Sequence, residues 1–219
     1  MRSATNPWGE RVVHHGRVDF TVMYAAHDAF SRDLRRLSDA IDQARAMTSE
    51  ARAGWETFKR QLHIHHQAED ASLWPPLRAE LSRPAEIAVL DDMEDEHAQI
   101  DPYLEDIDRA LTTNDPAGLR LGADALIAGL GAHMRHEENV ALPLVDTHLG
   151  PEGWAAMGTQ MRRTQGLRGA AEFFPWILDG APEAAQRKVL GVLPAPARLI
   201  CKRVWTPRYQ RTPRWTVSE

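Results

Sequence analysis

The chain is poor in the features that most often announce an activity. It has one cysteine, Cys201, in 219 residues, so neither an intramolecular disulfide nor a CxxCH haem attachment can form. A lone thiol fits a reducing compartment, and a cytoplasmic location is expected. No GxGxxG pattern is present to bind a dinucleotide or flavin. The first residues, MRSATNPWGERVVHHGR, lack the apolar core of a signal peptide. The longest apolar stretch, around Val189 to Cys201, is broken by Pro194 and Pro196 and is too short to span a bilayer. The net charge of −5 disfavours nucleic acid as the main partner. That charge is uneven: residues 183–219 hold eight Lys or Arg against two Glu, a surplus of +6 that leaves −11 elsewhere.

What is present is an internal repeat. Both halves carry His-x3-Glu-x5-Pro, as His65, Glu69, Pro75 and as His133, Glu137, Pro143. An isolated histidine precedes each copy at similar distance: His27 lies 38 residues before His65, and His97 lies 36 before His133. With 43% hydrophobic residues the chain can also bury a substantial core.

Apolar residues recur every three or four positions in four segments. They run Phe20–Ile41, Trp55–Glu69, Leu90–Leu111 and Ala123–Leu144, the pattern of amphipathic helices. The histidines and glutamates of the repeat sit within these apolar seams. Short polar connections at Met47-Thr48-Ser49 and at Thr112–Pro116 favour antiparallel neighbours, with Thr48 or Ser49 capping the second helix. Prolines 75, 76 and 84 mark a link between the two pairs, and Pro143 should stop the fourth helix, with some helix able to resume after it. Pro102 should kink the third. Counted from the turns at a rise of roughly 1.5 Å per residue, His27, His65, Glu69, His97, His133 and Glu137 fall within about one helical turn of the same level.

A histidine and a carboxylate at i and i+4 project from one helix face. Two such pairs plus two single histidines form a nitrogen and oxygen donor set without thiolate, suited to iron, manganese or zinc. Shared carboxylates Glu69 and Glu137 suit two ions in a helical core. The plainer alternative, solvated helix faces, conflicts with the apolar seam. His66 points about 100° from His65 and is expected at the surface or beside the centre. His63 and His136 are expected to be exposed, and His14, His15 and His148 solvated. Tyr24, Tyr103 and Trp74 are read as aromatics filling the ends of the core, with a redox or hydrogen-bond-donor role at the centre as the alternative, and Met93 as an apolar wall. Asp70 and Glu138 follow the repeat carboxylates and either hold imidazole N–H groups or are solvated.

The segments AAHDAF (25–30), LHIHHQAEDASLWP (62–75), EDEHAQIDP (94–102) and HMRHEENVALP (133–143) together resemble the hemerythrin-like, HHE cation-binding domain over roughly residues 15–148. The resemblance implies an all-α, up-down-up-down four-helix bundle. It also implies an oxo- or hydroxo-bridged diiron centre that meets O2, NO or peroxide, with His27, His65, Glu69, His97, His133 and Glu137 as metal ligands; related domains sometimes use the position after the first histidine of the second helix as well, which here is His66. The chain departs from the oxygen carriers of that family. Met93 and Asp101 stand where a second histidine of the third helix is expected, and the carriers' spacing on the fourth helix selects Glu138 rather than Glu137. Simple reversible O2 carriage is therefore disfavoured. A ferritin-like arrangement needs two Glu-x-x-His motifs, and only Glu94-x-x-His97 matches.

Three functions follow as expectations. The first is a non-haem diiron protein that binds or senses O2, NO or iron. The second is an oxidoreductase consuming hydrogen peroxide or using O2, for which no catalytic residue is assigned. The third is iron storage or delivery. Repeated redox turnover would need an electron-donor protein, and sensing a regulatory partner. Residues 151–219 are expected to form a helical and basic extension. One short helix runs through Trp154–Met161 and another through Leu167–Phe174, ending at Pro175. The basic, proline-rich end is read as a strap on the acidic bundle, with a docking arm as the alternative. Phe173, Phe174, Trp176 and Ile177 could cover the end of the bundle.

Overall fold

The computed structural model describes residues 13–215, and the reading of the first residues as lacking a signal peptide falls mostly outside them. It is all-helical, with no strand among the described residues. Four long helices carry the repeat: α1 (Thr21–Asp42), α2 (Ser49–Ser72), α4 (Pro84–Thr113) and α5 (Pro116–His136). Their ends follow local chemistry. The Thr48 side chain accepts from the Ala51 N–H at the start of α2. Asn114 turns the chain in the left-handed region, Asp115 accepts from the Ala117 and Gly118 N–H groups, and Pro116 opens α5.

Contacts between these helices run in opposite senses. From α1 to α5, Ser38 meets Arg120 at 3.1 Å and His27 meets Glu138 at 2.7 Å. From α2 to α4, Trp55 meets Asp108 at 2.6 Å and Asp70 meets His97 at 2.9 Å.

The prolines act differently from expectation in three places. Pro75 and Pro76 do end α2, but they also open a short helix, α3 (Trp74–Glu80), because the first turn of a helix has no use for their missing N–H. Helix α4 runs on through Pro102 without interruption of its helical assignment. The irregularity lies instead at the end of α5. There Glu137–Ala141 forms a π-helical turn, followed by α6 (Leu142–Leu144) and a second π turn, Val145–Leu149. Pro143 cannot donate to the Asn139 carbonyl and its ring crowds it, and a wider turn relieves both problems.

The extension is more helical than its prolines suggested. Helix α7 (Gly150–Leu178) is two helices joined at Gly166, whose φ of 60° and ψ of −162° are open only to glycine. Its second part continues past Pro175 to bury Trp176, Ile177 and Leu178. Then come α8 (Glu183–Val192), α9 (Ala195–Ile200), a π turn (Cys201–Trp205) and α10 (Thr206–Gln210). Pro194 precedes α9 and Pro207 lies in the first turn of α10, where both are tolerated.

The extension shares a core with the bundle helices. The Trp176 ring lies 4.9 Å from that of Phe30, and its indole N–H donates to Asp33 at 2.8 Å. Gly54 leaves room for Trp215, since a Cβ there would stand 2.3 Å from the indole. Arginines of the bundle helices reach acidic groups of the extension, Arg36 to Asp179 at 2.7 Å and Arg60 to Glu172. Arg32 donates to the carbonyls of Trp176 and Asp179.

Buried apolar residues form two clusters. One gathers Phe30, Leu34, Phe58, Leu62, Ile100, Leu126, Leu130 and Trp176; the other gathers Phe20, Met23, Leu73, Trp74, Leu90, Met93 and Leu142. On every long helix the repeat histidine falls where one cluster gives way to the other.

Replacing Trp176 with alanine empties a fully buried site and removes the indole donor to Asp33 Oδ2, while Arg32 still reaches Oδ1. We expect a loss of about 3–5 kcal/mol in unfolding free energy, read by urea denaturation.

Candidate metal centre

Six residues of the repeat meet in the layer between the apolar clusters. His27, Glu69, His133 and Glu137 are no more than 1% exposed, and His65 and His97 are 7% and 6% exposed. Spacing on each helix brings them to one level, and the antiparallel contacts bring the levels together.

The imidazoles face one another in pairs. His27 and His65 place their Nε2 atoms 3.2 Å apart, and His97 and His133 place theirs 3.1 Å apart. The outer nitrogens are held by carboxylates: His27 Nδ1 by Glu138 at 2.7 Å, His97 Nδ1 by Asp70 at 2.9 Å, and His133 Nδ1 by Glu96 at 2.9 Å. A carboxylate accepts, so each Nδ1 carries hydrogen and each neutral ring presents its Nε2 lone pair inward. Two lone pairs at such distances repel unless a proton or a metal cation lies between them.

The carboxylates of Glu69 and Glu137 complete the layer. Glu69 stands 3.1 Å from His65 Nε2 with one oxygen and 3.5 Å from His97 Nε2 with the other, so it spans the two pairs. Glu137 lies 3.0 Å from His27 Nε2. None of these four carboxylate oxygens has a hydrogen-bond partner among the described residues. Buried acceptors without donors, facing convergent imidazole nitrogens, are what a cation would satisfy. Three sets of side chains each bring donor atoms within 4.8 Å of one another: His27, His65 and Glu137; Glu69, His133 and Glu137; and His66, His97 and His133. The donor set fits bound metal.

Protons respond to this crowding. Burial depresses His27, but Glu137 and Glu138 outweigh it and push the imidazole up to about 9. Burial, reinforced by neighbouring histidines, lowers His65 and His66 well below their ordinary value. Burial also lowers His133, despite its bond to Glu96. Glu69 is raised well above the usual carboxylate range by burial and then by the charge of Glu137. In the metal-free protein a proton on His27 therefore stands in for a cation, and burial shifts Glu69 in the same direction.

The π turn explains how consecutive residues both reach His27. Glu137 meets its Nε2 and Glu138 its Nδ1, and both carboxylates are buried. The choice between Glu137 and Glu138 is thus a division of positions around one ring. Asp70 and Glu138 both hold imidazoles.

Other expectations changed. His66 is buried, and its ring lies parallel to His97, 3.9 Å away and inclined by 11°. His136 is half-buried and donates to Glu96 at 2.8 Å, so Glu96 serves two histidines. Their bonds outweigh its burial and keep its carboxyl below the ordinary range. Glu96 stands among several acids preceding His97, and no spacing rule distinguished it. His63 is exposed. Tyr24 is buried beside Phe20 and its hydroxyl accepts from the His14 N–H, while Met93 is fully buried in the second cluster. Trp176 packs on the flank of the first pair through Phe30, which touches the His65 ring at 5.3 Å. A cleft of about 340 Å³ between α2 and α4 has His63, His66, Asp70 and His97 in its wall.

In the metal-free protein, nuclear magnetic resonance should find His27 titrating near pH 9. Glu138→Gln removes one of the two charges responsible, and the midpoint should fall by about one unit or more. An unchanged midpoint would contradict the assigned pairing.

Neither curated proteins nor solved structures provide a match to this chain. One family description does match, the hemerythrin HHE cation-binding domain, over residues 18–145. That span covers all four long helices and every member of the buried histidine and glutamate layer, and on this ground the chain belongs to the hemerythrin HHE cation-binding family.

Proposed function

We propose that this chain is a non-haem diiron protein of the hemerythrin-like class whose centre binds or senses O2, NO or iron. The observation that carries the reading is the pair of facing imidazole couples spanned by Glu69, with carboxylate oxygens that lack hydrogen-bond donors. In this reading His27 and His65 hold one ion, His97 and His133 the other, and Glu69 and Glu137 lie between them. Helices α1, α2, α4 and α5 form an up-down-up-down bundle over residues 15–148, and the described part of residues 151–219, as far as Trp215, forms a second unit packed against it. The opposed contacts along the four helices and the membership of the family support that arrangement.

Iron is favoured by the nitrogen and oxygen donors and the absence of thiolate, with manganese or zinc as weaker fits. Two bound irons supply an electron-accepting and electron-donating pair able to take up a diatomic molecule or peroxide. The protein's own residues set the conditions. Asp70, Glu96 and Glu138 fix the imidazole tautomers and aim Nε2 inward. The two apolar clusters exclude water above and below the layer. The cleft beside His97 is an approach route for a small ligand. No helix among the described residues is long and apolar enough to cross a membrane.

The test is metal content and optical absorption after anaerobic iron loading, followed by exposure to O2, NO and hydrogen peroxide. About two irons per chain and a stable, reversible spectral change are expected. His65→Ala and His133→Ala should each lose at least one equivalent. Sustained oxygen release from peroxide would replace binding or sensing with oxidoreductase activity. Failure to take up metal, with both variants behaving like the parent, would overturn the metal reading itself.

Cation binding must also expel the proton held at His27. A site group raised in this way competes with metal below its own midpoint. Affinity should therefore rise with pH up to about 9 at His27, on the order of tenfold per unit for each proton released. Calorimetry in buffers of different ionisation enthalpy measures both the slope and the proton count.

A further inference from the structure

The end of the chain carries charge of one sign. From Ala184 to Trp215 there are eight Lys or Arg and no acid. Lys188, Lys202, Arg203, Arg208 and Arg211 are exposed, and none forms an ion pair among the described residues. The acids that precede this stretch are engaged: Glu183 with Arg187, Asp179 with Arg36 and Glu172 with Arg60. Apolar side chains stand among the free cations. Val192, Leu199, Ile200 and Val204 are between 43% and 58% exposed. They are four of the nine exposed large apolar side chains among the described residues, and they are gathered between Val192 and Val204, whereas the other five are spread from Val13 to Leu167. A single exposed aliphatic needs no explanation, but a cluster does.

The local fold produces this cluster. Helix α9, the π turn and α10 follow one another without a break from Ala195 to Gln210. Cys201 lies in the first apolar cluster, and Ala197, Trp205 and Tyr209 pack against it. These four residues are spaced by four. In an α-helix alone such a line drifts by about 40° at each step. The wider π turn takes up that drift and keeps the line against the core. The same spacing sends Leu199, Ile200, Arg203, Val204 and Arg208 outward. The aromatic rings of this segment therefore turn in, and its aliphatic and basic side chains turn out.

We propose that this face docks on a membrane surface of anionic phospholipid, where the chain lies without crossing. Charge and side-chain type single out that occupant. Lipid phosphates neutralise cations that nothing on the chain neutralises, and the aliphatic side chains between them enter the boundary of headgroups and acyl chains. A nucleic acid meets the same cations but stacks its bases on aromatic rings, and here Trp205 and Tyr209 face the core. A second copy brings acids, but it has no clustered apolar patch among its described residues to cover the aliphatics, because the remaining exposed ones are dispersed. The negative charge elsewhere does not prevent approach, since screening confines exposed charges to about 8 Å at physiological salt. The imbalance of +6 over residues 183–219 against −11 elsewhere instead orients the basic face toward the lipid. The proposal does not depend on the metal reading.

The experiment sediments the full chain with lipid vesicles at about 0.1 M salt. The chain should pellet with vesicles of phosphatidylcholine holding about 30% phosphatidylglycerol and stay in solution with phosphatidylcholine alone. Arg203→Glu, Arg208→Glu and Arg211→Glu together should weaken binding by roughly a hundredfold. Leu199→Ser, Ile200→Ser and Val204→Ser together leave every charge in place and should weaken it by roughly tenfold or more. Leu121→Ser, at an exposed leucine of α5, should change nothing. All the altered side chains are exposed, so circular dichroism and iron uptake should match the parent. No binding to anionic vesicles, or equal binding to neutral ones, would overturn the proposal. So would a serine variant that binds like the parent, which reduces the face to a site for counter-ions. Tighter binding to duplex DNA than to anionic vesicles at the same salt would reassign the face to nucleic acid. A dimer seen by ultracentrifugation and abolished by the serine variant would reassign it to a second copy.

Discussion

The structure depends on one constraint, a layer of imidazoles and carboxylates held in the middle of an apolar core. Ionised groups in such a place cost several kcal/mol each unless paired. The apolar clusters on either side admit no easy escape to water. The surrounding arrangement follows from this pressure. Imidazoles face inward in pairs, acids from neighbouring helices hold their outer nitrogens, and burial drives Glu69 toward its protonated form while Glu137 and Glu138 drive His27 toward its charged one. A cation would satisfy the oxygens and nitrogens that protons satisfy only in part. The family to which the chain belongs is described by cation binding, and this layer is where that property has a physical cause.

The acids that orient the imidazoles are themselves part of the repeat. Asp70 follows Glu69 and reaches across to His97; Glu138 follows Glu137 and reaches across to His27. Each HxxxE helix therefore offers one carboxylate to the interior and the next to a ring on another helix. On α5 this needs the π turn, whose wider ladder both accommodates Pro143 and lets adjacent glutamates grip one imidazole from two sides. His133 lies outside this symmetry and takes Glu96 from α4 instead. The layer is thus symmetric in its backbone plan and unequal in its details, with Glu96 as the departure.

The extension acts mainly through packing. Trp176 enters the same cluster as Phe30 and Phe58, and Phe30 in turn touches His65. Residues beyond the family match therefore contribute to the wall of the first histidine pair. Arg32, Arg36 and Arg60 of the bundle helices reach outward to carbonyls and acids of α7 and the residue that follows it. The negative balance of the bundle conceals these few well-placed cations.

The sequence by itself determined the helices, their turns and the level of the six repeat residues. Periodicity of 3.6, a Thr or Asp cap and His–Glu spacing of four are local properties that survive any choice of partner. It also showed which chemical types the interior would have to accommodate. What it could not determine was rotation about the helix axes and contact across them. Whether His66 looks outward or inward depends on how α2 is turned against α4. Whether Glu137 or Glu138 faces Nε2 depends on a π turn that Pro143 favours but only the packed core positions. Glu96 was one acid among several until α4 and α5 were brought together. These choices are decided by burial and by pairing between distant segments, and only the tertiary structure contains them.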